Sequence, residues 1–287
     1  DAFTAVRRAD SLLSTWRKDS EMARVNAAPV GRPVQLSPQL WSLLTEVNRW
    51  SQQTDGAFDP GIGSLVDAWD LRGQGRLPSS DALARARSTS GWRRFSLSRT
   101  APTITRRHVG SWIDTGGFGK GVALREARAA LLRAGSESAV LNFGGQVLVF
   151  GSDRRGMDWT IPVAHPSHRA EPAAWLQLQK GSVSTSSQSE RFVTANGQRI
   201  GHILDPRTGR PAPAWGSVTV IAEDPAVADV VSTALLVLGP DRGLEWARER
   251  KDVAVLFLIE RQGRLEQRGN SELKNFLVSD STVHRRT

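Results

Sequence analysis

The last third of the chain alternates apolar segments of two different lengths. Residues 217–221 and 253–260 are β-branched, apolar runs of strand length, and residues 227–238 between them are an apolar segment of helical length. A second helix is predicted over residues 242–250, and residues 262–263 predict a hairpin turn. Because helices and strands mix without strict βαβ alternation, we predict an α+β fold with a mainly antiparallel sheet.

Cap and turn signals place the elements that come earlier. A serine cap and a first-turn proline at residues 37–38 predict a helix that ends at the turn of residues 55–56. Its apolar residues recur at helical spacing: Leu40, Leu43, Leu44, Val47 and Trp50. Residues 92–104 alternate like strands, residues 122–132 predict a helix, and residues 144–145 predict a tight turn between two strands.

The composition is that of a folded globular protein. Its 287 residues are 39% hydrophobic, which supports a sizeable core, and we predict a single domain over residues 1–287. No window has the length and apolarity of a membrane span. Since the chain begins at Asp1 and not at Met, we expect a processed or truncated product. The absence of cysteine excludes disulfides, thiolate metal sites and a cysteine nucleophile.

The charge of the chain is strongly positive, with a formal net charge of +9 and an isoelectric point near 11.1. Nucleic-acid binding is the first hypothesis for such a charge, but the arginines are scattered and form no long run or groove-reading motif. We therefore expect no nucleic-acid partner. A small anionic substrate is compatible with this charge.

The run HILDPRTG at residues 202–209 places a titratable imidazole and a carboxylate beside a turn. Ile200, Ile203 and Leu204 indicate the end of a buried strand, and Asp-Pro followed by Gly is typical of a turn. His202 titrates near neutrality and can act as a general base. Taken alone, the run is equally typical of a surface turn with a solvated histidine.

A glycine-rich segment, DTGGFGKG at residues 114–121, follows a strand and opens a helix. Its backbone N–H groups can approach an anion at the positive end of that helix, with Lys120 as a point charge. The segment matches neither the Walker loop nor the dinucleotide fingerprint. A turn that needs glycine for its geometry alone remains an alternative.

Asp229 and Thr233 lie one turn apart on one face of the apolar helix predicted over residues 227–238. Hard oxygen ligands of this kind suit Mg²⁺, which needs few protein ligands when phosphate oxygens complete its shell. The alternative is an ordinary helix in which Asp229 interacts with the dipole and Thr233 hydrogen-bonds back to the helix.

Two further segments combine polar and aromatic side chains. Residues 55–63 form a helix-terminating loop that contains Phe58 and Asp59. Residues 13–26 bring Trp16, which can stack on a flat ring, together with three polar anchors. These anchors are Ser20, Glu21 and Asn26.

Seven motifs in this order resemble the FAD:protein FMN transferase family, the ApbE-type flavin transferases. They are Ser-Thr-aromatic…Asp-Ser-Glu…Asn at 14–26, Gly-Ala-Phe-Asp-Pro at 56–60, Asp-x-Gly-Gly-x-x-Lys-Gly at 114–121, Asn-x-Gly-Gly at 142–145, Thr-Ser at 185–186, His-Ile-Leu-Asp-Pro-Arg-Thr-Gly at 202–209 and Ala-Asp-x-x-Ser-Thr-Ala at 228–234. The resemblance covers nearly the whole chain. It implies a Met-Gly-Thr strand before the first helix, and the chain begins after the position where that strand would lie.

The resemblance implies a reaction in which FAD is split at its pyrophosphate, FMN is transferred to a Ser or Thr hydroxyl of an acceptor protein, and AMP is released. It assigns proton removal from the acceptor to His202. It assigns Mg²⁺ to Asp229, Thr233 and the carbonyl of Gly117. The residues implied to contact FAD are Trp16, Ala57, Phe58, Asp59, Asp114, Lys120, Leu204 and Ser232. In this assignment Trp16 occupies the place where the family usually has tyrosine, beside a flavin or adenine ring.

Two other classes of function remain open. A Mg²⁺-dependent FAD pyrophosphatase would use the same groups and release FMN and AMP into water. A non-catalytic flavin-binding protein would have little need of a base and a metal. The family resemblance also implies an extracytoplasmic or membrane-associated location in a bacterium, and a cytoplasmic one is not excluded.

Overall fold

The computed structural model describes residues 2–278, which form two compact units. One, here called the sheet unit, contains residues 2–6, 120–190 and 213–278. The other, the ribbon unit, contains residues 7–119 and 191–212. The single domain over residues 1–287 stays a prediction. Among the described residues, no helix is long and apolar enough to cross a membrane.

Helices and strands alternate irregularly along the chain, as an α+β fold requires. The helices are α1 (Ala2–Leu13), α2 (Glu21–Ala27), α3 (Pro38–Gln53), α4 (Gly63–Ala68), α5 (Ser80–Thr89), α6 (Gly119–Arg133), α7 (Pro225–Leu238) and α8 (Pro240–Arg248). The strands are β1 (Pro33–Gln35), β2 (Phe95–Leu97), β3 (Thr103–Arg106), β4 (Ala139–Phe143), β5 (Gln146–Phe150), β6 (Trp159–Ala164), β7 (Pro172–Leu178), β8 (Gly181–Ser187), β9 (Phe192–Ala195), β10 (Gln198–Gly201), β11 (Leu204–Asp205), β12 (Arg210–Pro211), β13 (Gly216–Ala222), β14 (Val253–Arg261), β15 (Arg264–Gly269) and β16 (Leu277–Val278). Every described strand pair is antiparallel, which confirms the predicted fold class.

The sheet unit is built on a six-stranded sheet in the order β15-β14-β13-β8-β5-β4. Alternate residues of a strand point to opposite faces of the sheet, and β8 makes contacts on both faces. Val183 faces a core shared with the three-stranded sheet β16-β7-β6, where it packs near Leu176 and Leu256. On the opposite face, Ser184 and Ser186 reach a residue of α7.

Helix α7 is buried along most of its length. The side chain of Asp224 caps its N-terminus by accepting a hydrogen bond from the Ala226 N–H at 2.9 Å, and Pro225 suits the first turn. Gly239, with φ of 79°, ends it. Because burial of each large apolar side chain contributes about 1.5–3 kcal/mol, polar residues on this helix are held in a well-fixed position.

The ribbon unit consists of helices and small antiparallel ribbons. Its core contains apolar residues of α4, α5 and the short strands β10 and β11, among them Leu65, Leu83, Ile200 and Leu204. The helix predicted after residues 37–38 is present as α3. Ser37 Oγ accepts a hydrogen bond from the Leu40 N–H at 3.2 Å, as a helix cap does.

The structure corrects two element predictions in the ribbon unit. Residues 92–104 do not run as strands throughout, because Trp92–Arg94 is a 3₁₀ turn before β2. The strand expected to include Ile200 and Leu204 is divided into β10 and the two-residue β11. The predicted hairpin at residues 144–145 is confirmed, and both of its glycines have positive φ, 59° and 87°.

Candidate active site

The carboxylate of Asp229 is the most enclosed charged group among the predicted site residues, with 2% of its side chain exposed. Its Oδ1 accepts a hydrogen bond from Lys120 Nζ at 2.9 Å, and its Oδ2 accepts one from the Gly121 N–H at 3.0 Å. A buried charge requires such partners. The structure thus brings together two predicted site residues that are 109 positions apart in the chain.

Gly121 has a steric reason to be glycine. A Cβ at this position would clash with the backbone of Pro225 and Ala226 at the start of α7. The close approach of the two backbones lets the Gly121 N–H reach Asp229. The glycine of this motif is therefore required by the packing of α6 against α7.

The hydroxyls that follow Asp229 are engaged within the sheet unit. Thr233 Oγ1 donates to the Asp229 carbonyl at 3.1 Å, which is the helix back-bond expected for a mid-helix threonine. Ser232 Oγ donates to the same carbonyl at 3.0 Å and is fully buried beside Ser184 and Ser186, at 3.1 and 2.9 Å. This hydroxyl cluster fixes the turn of α7 that carries Asp229.

The donor set of Asp229 and Thr233 fits a hard cation. Both offer oxygen, and Thr233 keeps oxygen lone pairs for a metal because its own hydrogen goes to the helix carbonyl. Within residues 2–278, no three His, Asp or Glu side chains converge as a metal cluster. Gly117, the third predicted ligand, belongs to the ribbon unit, and its role stays a prediction.

Asp114 begins the glycine-rich segment in the ribbon unit. Its Oδ1 accepts a hydrogen bond from the Gly116 N–H at 2.7 Å, and its Oδ2 accepts one from Arg72 Nη2 at 2.8 Å. The preceding residue, Ile113, exchanges two backbone hydrogen bonds with the Asn26 side chain, at 2.8 and 2.9 Å. These contacts hold the start of the segment rigidly.

The polar anchors near Trp16 have structural partners. Ser20 caps α2 by accepting from the Ala23 N–H at 2.9 Å, and Glu21 accepts hydrogen bonds from the backbone and hydroxyl of Ser37. Trp16 itself has 73% of its surface exposed. A side chain of this kind on a surface turn has room to stack on a flat ligand.

Arg72 is a further residue of the site that the sequence did not predict. Its guanidinium lies over the Trp16 ring, 4.6 Å from the centroid, and bonds Asp114. It thereby connects two predicted FAD contacts. No motif marks Arg72, since it is one of many arginines and lies in a turn after α4.

The 55–63 loop places its three predicted site residues differently. Ala57 and Phe58 are buried, and the Phe58 ring packs edge-on against Phe118 with centroids 6.4 Å apart. The Asp59 carboxylate accepts hydrogen bonds from the Gly61 and Trp92 N–H groups, both at 2.8 Å. Burial raises the pKa of Asp59 above its usual value, and these two N–H groups oppose that shift.

Asp59 also lines a cleft within the ribbon unit. The cleft has a volume of about 610 Å³ and contains charged side chains of both signs, including Asp55, Arg87, Arg93 and Arg207. It lies where the 55–63 loop, the end of α5 and the 206–207 turn come together. These charges offer polar contacts for a ligand of mixed character.

His202 follows β10, with its ring oriented by the backbone. Nδ1 lies 2.9 Å from the Arg191 carbonyl. Because a carbonyl only accepts, Nδ1 carries the hydrogen, and the lone pair of the neutral ring is on Nε2. The histidine is therefore in the tautomer that a base acting through Nε2 needs.

The residues after His202 stabilise the turn. Leu204 is buried in the core of the ribbon unit. Asp205 accepts two hydrogen bonds from the Arg207 guanidinium, each 2.9 Å long, and this pairing raises the pKa of Arg207. The Gly209 carbonyl accepts from Trp69 Nε1 at 2.8 Å. The strand-to-turn prediction is confirmed at the turn.

A buried carboxylate with an ammonium partner, hard oxygen donors and an oriented imidazole are groups suited to phosphoryl transfer. Comparison with known proteins supports this class. The ApbE family matches residues 1–257. A relative from Treponema pallidum named FAD:protein FMN transferase is 30% identical over 275 residues, covering 90% of this chain and 76% of the relative. One from Haemophilus influenzae with the same name is 28% identical over 271 residues, covering 91% and 78%.

Solved structures agree with the sequence comparisons. The ApbE protein of Thermotoga maritima has a TM-score of 0.88 at 29% identity and covers 97% of this chain and 90% of its own. The apo flavinyl transferase ApbE of Pseudomonas stutzeri has a TM-score of 0.83 at 27% identity, covering 96% and 86%. The chain belongs to the ApbE family, which confirms the resemblance inferred from its seven motifs.

Proposed function

We propose that this protein transfers FMN from FAD to a Ser or Thr hydroxyl of an acceptor protein and releases AMP. Its membership in a family whose relatives carry the name FAD:protein FMN transferase supports the reaction class. The observation that carries the proposal is the enclosed Asp229–Lys120 pair. A phosphoryl transfer needs charge neutralisation and positioning more than covalent catalysis, and this pair supplies a fixed anion and a cation.

Magnesium belongs to the same proposal. Asp229, Thr233 and the Gly117 carbonyl would hold it, and when bound it would neutralise charge on the pyrophosphate oxygens. Asp229 also bonds the ammonium of Lys120. Lys120 would supply its positive charge to a phosphate oxygen of FAD.

His202 performs the proton transfer in this proposal. The acceptor oxygen forms a new bond to the phosphorus of the FMN half, while the bond from that phosphorus to the AMP oxygen breaks and AMP leaves. The hydroxyl proton moves to Nε2 of His202, the nitrogen that holds the lone pair when Nδ1 donates to Arg191. The new link is a phosphodiester between FMN and the acceptor.

The remaining predicted residues would hold FAD. Trp16 would stack on a flavin or adenine ring, and Asp114 would contact FAD beside it. The 57–59 segment and Leu204 would line the nucleotide pocket. Ser232 is included by family resemblance, and its hydroxyl is engaged in the cluster with Ser184 and Ser186. We propose that Ser232 acts through the backbone of α7 that it fixes.

The decisive experiment incubates the protein with FAD, Mg²⁺ and a candidate acceptor protein that carries a Ser or Thr site. Intact mass of the acceptor should increase by one FMN minus one water, and AMP should appear in equal amount. A parallel reaction with EDTA should show neither product. Equal FMN and AMP with an unmodified acceptor would identify a pyrophosphatase instead, and tight FAD binding without any product would identify a flavin-binding protein.

An extracytoplasmic or membrane-associated location is also part of the proposal, because the resemblance implies it. Fractionation of the native bacterial cell, with antibody detection of this protein in each fraction, tests the location. Recovery only with cytoplasmic markers would contradict it.

A further inference from the structure

Arg72 stacks on two tryptophan rings in the ribbon unit. Its guanidinium carbon lies over both rings, 4.2 Å from the centroid of Trp112 and 4.6 Å from that of Trp16. Both distances lie within the range of a cation–π contact. Trp16 is the exposed member of this stack of Trp112, Arg72 and Trp16, and Trp112 is partly buried.

The inner layer is fixed. Trp112 Nε1 donates to Asp67 Oδ2 at 2.7 Å, and the indole packs so closely on Gly63 that a Cβ there would clash with it. Trp112 thus provides a rigid surface on which the Arg72 side chain rests. The guanidinium contacts this surface before any ligand binds.

Three N–H donors of the same guanidinium are engaged. Nη2 donates to Thr15 Oγ1 at 2.6 Å and to Asp114 Oδ2 at 2.8 Å, and Nη1 donates to the Thr15 carbonyl at 3.1 Å. Only 25% of the Arg72 side chain and 18% of the Asp114 side chain are exposed, so solvent screens this pair less than a surface pair. One side chain therefore binds the backbone next to Trp16, the Trp16 ring and the Asp114 carboxylate.

We propose that Arg72 is a positioning residue that holds the Trp16 ring and the Asp114 carboxylate in a fixed relative position for FAD binding. The inference rests on the proposed function, which assigns FAD to these two residues. The guanidinium covers one face of Trp16, and the 73% exposure of this residue leaves the opposite face for a flat ring. A bound flavin or adenine ring becomes the fourth layer of the stack.

The chemistry of the position calls for arginine and not simply for positive charge. A guanidinium is planar, stacks on aromatic faces and directs several N–H donors in a fixed fork, whereas an ammonium is a compact point charge. Lysine at position 72 keeps the charge opposite Asp114 but loses the stack. Methionine keeps most of the length and loses both the charge and the donors.

The test measures FAD affinity by calorimetry in Arg72→Met and Arg72→Lys. Since fixing an exposed aromatic ring before binding saves ordering entropy, we expect Arg72→Met to weaken FAD binding by about 3- to 30-fold, a range that corresponds to a cation–π contact. Arg72→Lys should recover less than half of this loss on a logarithmic scale. The matched control is Arg76→Met, because the Arg76 side chain bonds the carbonyls of Asp67 and Ala68. The FAD affinity of this variant should stay within about twofold of the parent's.

A double-mutant cycle separates positioning from general stability. If Arg72 acts through Trp16, Arg72→Met should lose most of its effect in a Trp16→Ala background. Unchanged FAD affinity in Arg72→Met, or full additivity with Trp16→Ala, would overturn the proposal. Circular dichroism and thermal unfolding check that the variants are folded. If Arg72→Met does not fold, Arg72→Lys replaces it in the cycle.

A measurement without FAD distinguishes failure of this inference from failure of the proposed function. In protein labelled with 5-fluorotryptophan, the ¹⁹F resonance of Trp16 is assigned by its loss in Trp16→Phe. It should shift in Arg72→Met and stay in place in Arg76→Met. A parent protein that binds no FAD would contradict the proposed function, while an unmoved resonance would contradict the stack itself.

Discussion

The sheet unit and the ribbon unit hold their site residues by different means. Asp229 lies on a helix that is buried on most sides, and its carboxylate bonds a lysine and a backbone N–H. Trp16 and His202 lie outside the helices and strands. The Arg72 guanidinium lies over the Trp16 ring, and the Arg191 carbonyl lies 2.9 Å from His202 Nδ1. In the first case regular secondary structure positions the group, and in the second the contacts of a turn do.

This difference has a consequence for substitutions. A helix in a close-packed core moves little, so changes at Asp229 should remove chemistry while the surrounding geometry persists. A turn outside regular secondary structure has less support, and changes there should lower ligand affinity according to the strength of the interaction that the substitution removes. Substitutions at four positions test this contrast.

The largest effect is expected for Asp229→Asn. The change removes the charge that pairs with Lys120 while the amide oxygen keeps an acceptor for the Gly121 N–H. We expect transfer to fall below detection and Mg²⁺ binding to be lost, as measured by acceptor mass and by calorimetry with Mg²⁺. Asparagine is the better choice than alanine, since an unsatisfied buried N–H costs about 1–3 kcal/mol.

Asp224→Asn is the matched control on the same helix. Asp224 caps α7 and bonds Arg125, and asparagine is an equally good cap. This variant should keep Mg²⁺ binding and transfer. Transfer at the parental rate in Asp229→Asn, or in EDTA, would show that Asp229 does not serve a metal.

His202→Asn should separate binding from chemistry in the ribbon unit. Because general acid–base catalysis contributes about 10²- to 10⁴-fold, we expect transfer to fall by that factor while FAD and Mg²⁺ affinities stay near those of the parent. The parent rate should rise with pH through a group near neutrality, and that limb should be absent in the variant.

His168→Asn provides a comparison at a histidine that lies in a loop of the sheet unit, and it should leave the rate unchanged. If His202→Asn abolishes FAD binding or unfolds the protein, His202 is structural. If transfer continues at the parental rate, the base is another group.

Much of the sheet unit could be predicted from the sequence because its segments have long and unambiguous periods. The helix predicted at 227–238 is Pro225–Leu238, and the strand predicted at 253–260 is Val253–Arg261. The Asp229/Thr233 spacing followed from the same helical period. What the period could not show is that Lys120 is the partner of Asp229, because that contact depends on how α6 packs against α7.

The ribbon unit was harder to predict, for a physical reason. Its strands have two to four residues, which is too short for a period of two to be distinguished from a turn. Motifs marked His202 and Asp114, but Arg72 has no local signature and becomes visible only through its contacts with Trp16, Trp112 and Asp114.

Trp16→Ala should have the third-largest effect, a loss of FAD affinity. Loss of one aromatic stacking partner weakens nucleobase binding by about 1–3 kcal/mol, and FAD affinity measured by calorimetry should fall accordingly while turnover at saturating FAD changes little. Trp41→Phe is the control, since the Trp41 indole bonds the Ser98 carbonyl elsewhere in the ribbon unit. An unchanged dissociation constant would remove Trp16 from the FAD site and weaken the contrast between the two units.

The smallest effect concerns Asp59 and the pH dependence of stability. Burial raises the pKa of Asp59 above its ordinary 3.8, so between that value and the folded-state pKa the folded protein binds more protons than the unfolded chain. Its contribution to the free energy of unfolding is therefore fully present below pH 3.8 and is lost as pH rises through the folded pKa. Asparagine at this position does not titrate, so Asp59→Asn does not lose this stability as pH rises. The free energy of unfolding of Asp59→Asn minus that of the parent, measured by urea denaturation, should therefore increase with pH. Asp59→Ala, which leaves the Gly61 and Trp92 N–H groups without this acceptor, should be less stable than Asp59→Asn at every pH. If the stability of Asp59→Asn relative to the parent falls as pH rises, the two N–H groups outweigh burial in their effect on the pKa of Asp59. The 55–63 loop would then stabilise a buried carboxylate as the sheet unit does at Asp229.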